Sequence, residues 1–258
     1  MAWATLSFES KTLNRPEKIE VLIPQYGFKG QDQKGDFGVL FVLHGLHKDR
    51  KEWLLDSQLP FLTRELPLLV VMPSGSNGFY INTANGYHYM DYICRELPAF
   101  IKSMFPVSRD PADWTIMGES MGGYGSLVCG FHFPEVFGAV AAFSPVTDIL
   151  KASENFSDVS FEDLLGSRER ASELGFDLFG LIERMDHFPP VRICCGTEDS
   201  LLSMNRQFAE VLKEKCPVHY SEGPGGHDFL YWNPEIPAVL SWIMERRNEI
   251  RKQKEVRP

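Results

Sequence analysis

The stretch Trp114-Thr115-Ile116-Met117-Gly118-Glu119-Ser120-Met121-Gly122-Gly123 decides how this chain folds. Its first four residues form an apolar, strand-like run, and the pattern G-x-S-x-G overlaps its end. Met121, Tyr124, Leu127 and Val128 then recur at helical spacing. A strand that breaks sharply into a helix at a serine is the context in which this pattern has chemical meaning. The turn presents the serine hydroxyl above the end of the sheet. Gly118 and Gly122 omit the Cβ atoms that would collide with neighbouring backbone. The first N–H groups of the helix are partially positive and point where an oxyanion would form. Ser120 is therefore the candidate nucleophile.

A serine hydroxyl is a weak nucleophile until a positioned base takes its proton. On a strand-turn-helix elbow the partners follow in the order serine, acid, histidine. The buried-strand run Val191-Arg192-Ile193-Cys194-Cys195 ends at Gly196-Thr197-Glu198-Asp199-Ser200. Asp199 is preferred to Glu198, because the acid belongs a few residues past the strand and a shorter side chain is held more firmly. His227 lies in the glycine-rich loop Glu222-Gly223-Pro224-Gly225-Gly226-His227-Asp228, which can carry an imidazole across to the serine. His219 falls within a strand, and His132 and His187 sit beside phenylalanines. His47 and His88 precede the serine, out of order. Asp148, just past the run 139–143, stays as the rival acid.

Tetrahedral intermediates also need two N–H donors. The apolar run 37–43 breaks at His44-Gly45-Leu46-His47. On this kind of elbow one donor comes from the loop after the third strand and the other from the residue after the nucleophile. The backbone N–H groups of Leu46 and Met121 are nominated, with Gly45 allowing close approach and His44 bracing the loop.

Around these motifs the pattern is regular. Residues 3–9 and 19–23 read as antiparallel strands joined by Asn14-Arg15-Pro16. Strands are then expected at 37–43, 68–72, 114–117, 137–143, 191–195 and 218–220. Helices are expected near 51–58, 88–104, 120–131, 200–215 and 235–253, with Pro98 kinking or interrupting the second. This order predicts an α/β fold: a mostly parallel sheet covered on both faces. Residues 149–189 break the alternation and are expected to form a small cap-like insertion within a single domain spanning 1–258.

The chain's 258 residues suffice for one large core. A net charge of −9 argues against nucleic acid or an anionic membrane as partner. Five scattered cysteines, most in apolar runs, read as buried free thiols. No C-x-x-C or H-E-x-x-H occurs, so no metal site is expected. The N-terminus lacks the charged and apolar regions of a secretory signal, which favours the cytoplasm. Self-association into a homo-oligomer stays open.

At this point the chain resembles the tributyrin esterase group of the esterase D and S-formylglutathione hydrolase-like family. The resemblance is carried by LFVLHGLHKDRKEWL, VVMPSGSNGFYINTANGYHYMDYICRELPAFI, IMGESMGGYGSL, SFEDLLGS, CCGTEDSLLSMNRQF and GPGGHDFLYWN. It implies an α/β-hydrolase fold and hydrolysis of small carboxylic esters without a cofactor. It also implies a triad at Ser120, Asp199 and His227, which favours Asp199 over Asp148. Relatives often carry tryptophan two residues after the histidine, where this chain has Phe229. Trp53, Phe79, Tyr80 and Trp232 lie on loops expected to wall the site, so short acyl chains are expected. Thioesters such as S-formylglutathione, and acetyl or feruloyl sugar esters, are the alternatives.

Overall fold

All eight expected strands are present and join in one sheet. The computed structural model describes residues 1–25, 36–152 and 159–256. The strands are β1 (Ala2–Ser10), β2 (Arg15–Ile23), β3 (Gly38–Leu43), β4 (Leu68–Met72), β5 (Trp114–Glu119), β6 (Ala139–Phe143), β7 (Val191–Gly196) and β8 (Val218–Gly223). Their order is β1-β2-β4-β3-β5-β6-β7-β8. The hairpin β1–β2 pairs antiparallel onto β4, and every other neighbouring pair is parallel. Strands β3 to β6 are buried at every residue, which is why they read as unbroken apolar runs.

Helices cover both faces. One face carries α5 (Met121–His132) and α10 (Leu202–Lys213), preceded along the chain by α3 (Tyr89–Asp91) and α4 (Leu97–Met104). The other carries α1 (Glu52–Asp56), α2 (Leu59–Leu62) and α11 (Phe229–Val256), whose Trp53, Leu59, Ile236 and Val239 pack beneath Leu40, Val42 and Phe143.

Two local features differ from expectation, and a third takes a form the pattern did not specify. Arg15 and Pro16 belong to β2, because the hairpin turns earlier, with Asn14 at a φ of 52°. The interruption expected at Pro98 is a change of helix type. A π-helical turn at Tyr92–Glu96 precedes it, and the Leu97 N–H reaches back to the Tyr92 carbonyl. The missing proline N–H is thereby placed in the first turn of α4, where it has no partner to lose. Helix α11 starts at Phe229, six residues before the expected 235. Asp228 caps it by accepting the Leu230 N–H at 2.9 Å, while Pro234 and Pro237 lie inside. Among the described residues the segment between β6 and β7 forms four short helices: α6 (Ile149–Ala152), α7 (Phe161–Leu164), α8 (Arg168–Glu173) and α9 (Leu178–Glu183). No helix among the described residues is long and apolar enough to cross a membrane.

Candidate active site

Strand β5 hands over to α5 at Ser120, whose φ of 55° and ψ of −117° lie where residues with a side chain rarely sit. The surrounding backbone holds that strain in place. The Ser120 N–H donates to the Phe143 carbonyl at 2.9 Å, and the Ser120 carbonyl accepts from Tyr124 and Val146. The two motif glycines sit at closest approach. A Cβ on Gly118 would lie 2.6 Å from both the Gly122 and Leu43 oxygens, and one on Gly122 would lie 2.3 Å from the Leu43 oxygen. No side chain fits at either position.

His227 and Asp199 come together from the loops after β8 and β7. His227 Nδ1 lies 2.8 Å from Asp199 Oδ2, with the Asp199 side chain fully buried and the imidazole about one-third exposed. The Leu201 N–H donates to the other carboxylate oxygen at 2.8 Å. Burial opposes ionisation of Asp199, but hydrogen bonds from His227, the Leu201 N–H and Ser144 outweigh it and hold its pKa below the usual value. With Nδ1 engaged by a carboxylate, Nε2 is the nitrogen left to act as base. Ser120 and His227 line one cavity of about 330 Å³, together with Gly45, Leu46, Phe229 and Trp232, and with Lys48, Glu52, Glu119 and Asp228.

The loop after β3 shapes the far side of that cavity. His47 N–H donates to Asn77 Oδ1 and Gly45 N–H to Glu52 Oε2. Among the described residues the intervening Leu46 N–H has no such partner, and neither does the Met121 N–H at the start of α5. His44 is the brace expected of it. Its Nε2 accepts the Gly75 N–H at 3.1 Å, so Nδ1 carries the proton and donates to the Gly45 carbonyl at 2.7 Å. Burial pulls the His44 pKa down, against the pull of that hydrogen bond and nearby carboxylates, which favours the neutral ring.

Asp148 is not brought to the histidine. It caps α6 by accepting the Lys151 N–H and borders a separate cavity with Arg168 and Asp177. Of the four expected wall residues, only Trp232 lines the cavity of Ser120 and His227. Trp53, Phe79 and Tyr80 are fully buried and support it from behind. The Trp53 indole donates to the Leu43 carbonyl, and the Tyr80 hydroxyl to the His44 carbonyl. Positive φ values at Ser76, Phe79 and Tyr80 turn this loop's large side chains inward, which their composition does not reveal. No described residue of 149–189 lines the cavity. The segment instead borders a second cavity of about 210 Å³ through Val159, Ser160, Asp163 and Leu164.

Two contributors were not expected from the sequence. Ser144, buried at a φ of 44°, bonds to Asp199 and accepts the Trp232 indole N–H at 3.0 Å. The Trp232 ring stands nearly perpendicular to His227, with centroids 5.1 Å apart. One hydroxyl thus links the acid to the aromatic that steadies the imidazole. Its only sequence signal is a serine directly after an apolar strand, a weak one. Glu52 is the other: its carboxylate accepts the Gly45 N–H.

Comparison with known proteins agrees with this geometry. Residues 10–243 match the family model described as putative esterase. An acetyl esterase of Caldicellulosiruptor saccharolyticus is 28% identical over 261 residues, covering 94% of this chain and 98% of the relative. The fluorophosphonate-binding serine hydrolase FphF of Staphylococcus aureus superposes with a TM-score of 0.87 at 27% identity, covering 94% and 98% of the two chains. The S-formylglutathione hydrolase FrmB of the same organism gives 0.80 at 26% identity over the same shares. The elbow, the sheet order and these likenesses agree: the chain belongs to the putative esterase family and has the α/β-hydrolase fold.

Proposed function

We propose that this protein hydrolyses small carboxylic esters with short acyl chains through a Ser120–His227–Asp199 triad. The observation that carries the reading is the 2.8 Å contact between His227 Nδ1 and buried Asp199, on a histidine that shares its cavity with the strained Ser120. In the first step Ser120 Oγ attacks the ester carbonyl while His227 Nε2 takes its proton. Asp199 holds the tautomer and stabilises the imidazolium. The carbonyl oxygen becomes an oxyanion, received by the Leu46 and Met121 N–H groups at about 3–4 kcal/mol for each donor. His227 then returns the proton to the departing alcohol. Water, activated by the same histidine, cleaves the acyl-serine.

The cavity walls support short acyl groups. Leu46, Phe229 and Trp232 supply the apolar part, whereas Lys48, Glu52 and Glu119 supply charge and polarity, so the described residues form no long apolar tunnel there. The similarity to FrmB supports a second reading, thioester hydrolysis with S-formylglutathione as substrate. We also assign the enzyme to the cytoplasm, where its five free cysteines stay reduced.

The test is a chain-length series of nitrophenyl esters, run beside S-formylglutathione. We expect kcat/KM to peak from acetyl to butyryl and to fall by about tenfold or more at octanoyl. Methylenes that find no pocket forfeit about 0.8 kcal/mol each. Activity rising to lauroyl would overturn the short-acyl reading and leave the triad standing. A fluorophosphonate probe that fails to label Ser120 would overturn the hydrolase reading itself.

A further inference from the structure

Two carboxyl groups meet under the loop that presents the Leu46 N–H. Glu119 ends β5, directly before Ser120, and is 1% exposed; Glu52 begins α1 and is 7% exposed. They approach Gly45 together. The Gly45 N–H donates to Glu52 Oε2 at 2.9 Å. A Cβ on Gly45 would lie 2.7 Å from Glu119 Oε1 and 3.3 Å from its Oε2, so this carboxyl packs directly against the glycine. Both carboxyls thus lie against the same glycine. Two carboxylates cannot bond, since neither has a proton to donate.

The neighbours do not supply enough positive charge for two anions. Lys48 Nζ lies 3.8 Å from Glu52 Oε1 and equally far from Asp56 Oδ2, and its side chain is half exposed. His44 is held neutral, and its backbone carbonyl accepts the Tyr80 hydroxyl. Asp49 adds negative charge from the same loop and is salt-bridged to Arg50. Across the cavity stand His227 and Asp228. Glu119 Oε2 is buried and has no hydrogen-bond partner if both acids are ionised. Leaving such an atom unpaired is destabilising unless it carries a proton to a neighbour. Burial first, and then Glu52, push the Glu119 pKa well above the usual carboxylate value; only the Gly45 and Glu119 backbone N–H groups oppose them.

Building on the esterase reading, we propose that Glu119 and Glu52 share a single proton and together position the oxyanion loop. Glu119 stays protonated and donates to Glu52. The remaining charge on Glu52 accepts the Gly45 N–H, which fixes the peptide next to the Leu46 N–H. Loss of the shared proton sets two buried anions against each other and loosens Gly45. Both acids are positioning residues that act through the loop.

Three variants test this, each assayed for kcat and KM on a short-chain nitrophenyl ester from neutral to alkaline pH, with thermal melting in parallel. Glu119→Leu removes the donor and lowers kcat by about 10² with little change in KM, the scale of an ångström misplacement. Glu119→Gln recovers most of that loss, because its amide N–H donates to Glu52 permanently. The wild type loses kcat on an alkaline limb that Glu119→Gln lacks relative to its own neutral value. The melting series follows linkage. An acid whose folded pKa is raised contributes stability that is lost as pH rises through that pKa, so the melting temperature of Glu119→Gln gains on the wild type with rising pH. Glu52→Gln, which can accept from Gly45 and donate to Glu119, also lacks the limb and serves if a Glu119 variant fails to fold. An identical alkaline limb in wild type and both glutamine variants, or equal activity of the leucine and glutamine variants, would overturn the proposal. If no ester is turned over, the hydrolase reading fails, while the melting series still decides the proton-sharing pair.

Discussion

Gly122→Ala adds one methyl group at the tightest contact in the elbow, and its cost can be worked from the geometry. The new Cβ would lie 2.3 Å from the Leu43 oxygen, 2.6 Å from the Leu43 carbonyl carbon and 2.8 Å from the His44 oxygen. All three are backbone atoms and cannot swing aside. Ordinary contact begins near 3.4 Å, so α5 and the end of β3 must part by about 1.1 Å. Alanine in place of a helical glycine gains about 1 kcal/mol from propensity. Forcing a methyl into filled space costs about 1–3 kcal/mol, so the steric term wins and a net loss near 1 kcal/mol is expected. The catalytic effect should be larger. The Met121 N–H rides on α5 and the Leu46 N–H on the loop that leaves the displaced end of β3, so the donors separate. A misplacement of about 1 Å costs about 10² in rate, or about 2.7 kcal/mol of transition-state stabilisation. The assay is kcat and KM on a butyryl ester beside urea unfolding. A stabilised variant with undiminished kcat would refute the argument that these glycines set the donor spacing.

Ser120→Ala and His227→Ala should each abolish nearly all hydrolysis, and the double variant should be scarcely worse, because the groups act as a unit. Asp199→Asn should lower kcat by about 10⁴ through a misoriented imidazole. Asp148→Asn, which can still cap α6, should be mild; the reverse result would move the acid. Because the folded pKa of Asp199 is depressed, its contribution to stability is present above its unfolded pKa and is lost as pH falls through the folded one. Asp199→Asn should therefore flatten the acid limb of melting temperature against pH, and an unchanged limb would contradict the assignment. Ser144→Ala removes a bond to a buried carboxylate and should destabilise by about 1.5–3 kcal/mol, checked by chemical unfolding.

Much of this arrangement was legible in the chain because local chemistry dictated it. Strands β3 to β6 are buried on both faces and therefore unmistakably apolar. The elbow requires glycine at two positions whatever surrounds it. Asp199 and His227 follow from chain order and strand position, with Asp148 a rival acid until the family resemblance is added. What stayed hidden depends on where backbone points a side chain. Phe79 and Tyr80 read as pocket walls, and only their positive φ values turn them into the core. Glu119 looks like an ordinary polar residue within the motif until Glu52, distant in sequence, is folded against it. The early start of α11 stayed hidden because Pro234 and Pro237 lie inside it, where proline is disfavoured, and its cap, Asp228, directly follows the loop histidine.

Arg247 gives the last helix a second anchor. Its buried guanidinium donates to Asp113, to the Pro67 carbonyl and to the Asp36 carbonyl, near the starts of β5, β4 and β3. It stands 18 residues beyond Phe229, about 27 Å along the helix, whose first turn adjoins the loop of His227. The rod is thus clamped at a site remote from the chemistry. Amide exchange in the histidine loop should then report on that clamp: if the guanidinium is lost, the helix can open as a unit from its distal end, and protection near His227 falls with it. Lysine could not restore the clamp, since three acceptors in different directions need the planar fork. A substitution there would look like a stability change in the melting curve and like a catalytic one in the kinetics, though it touches neither substrate nor triad.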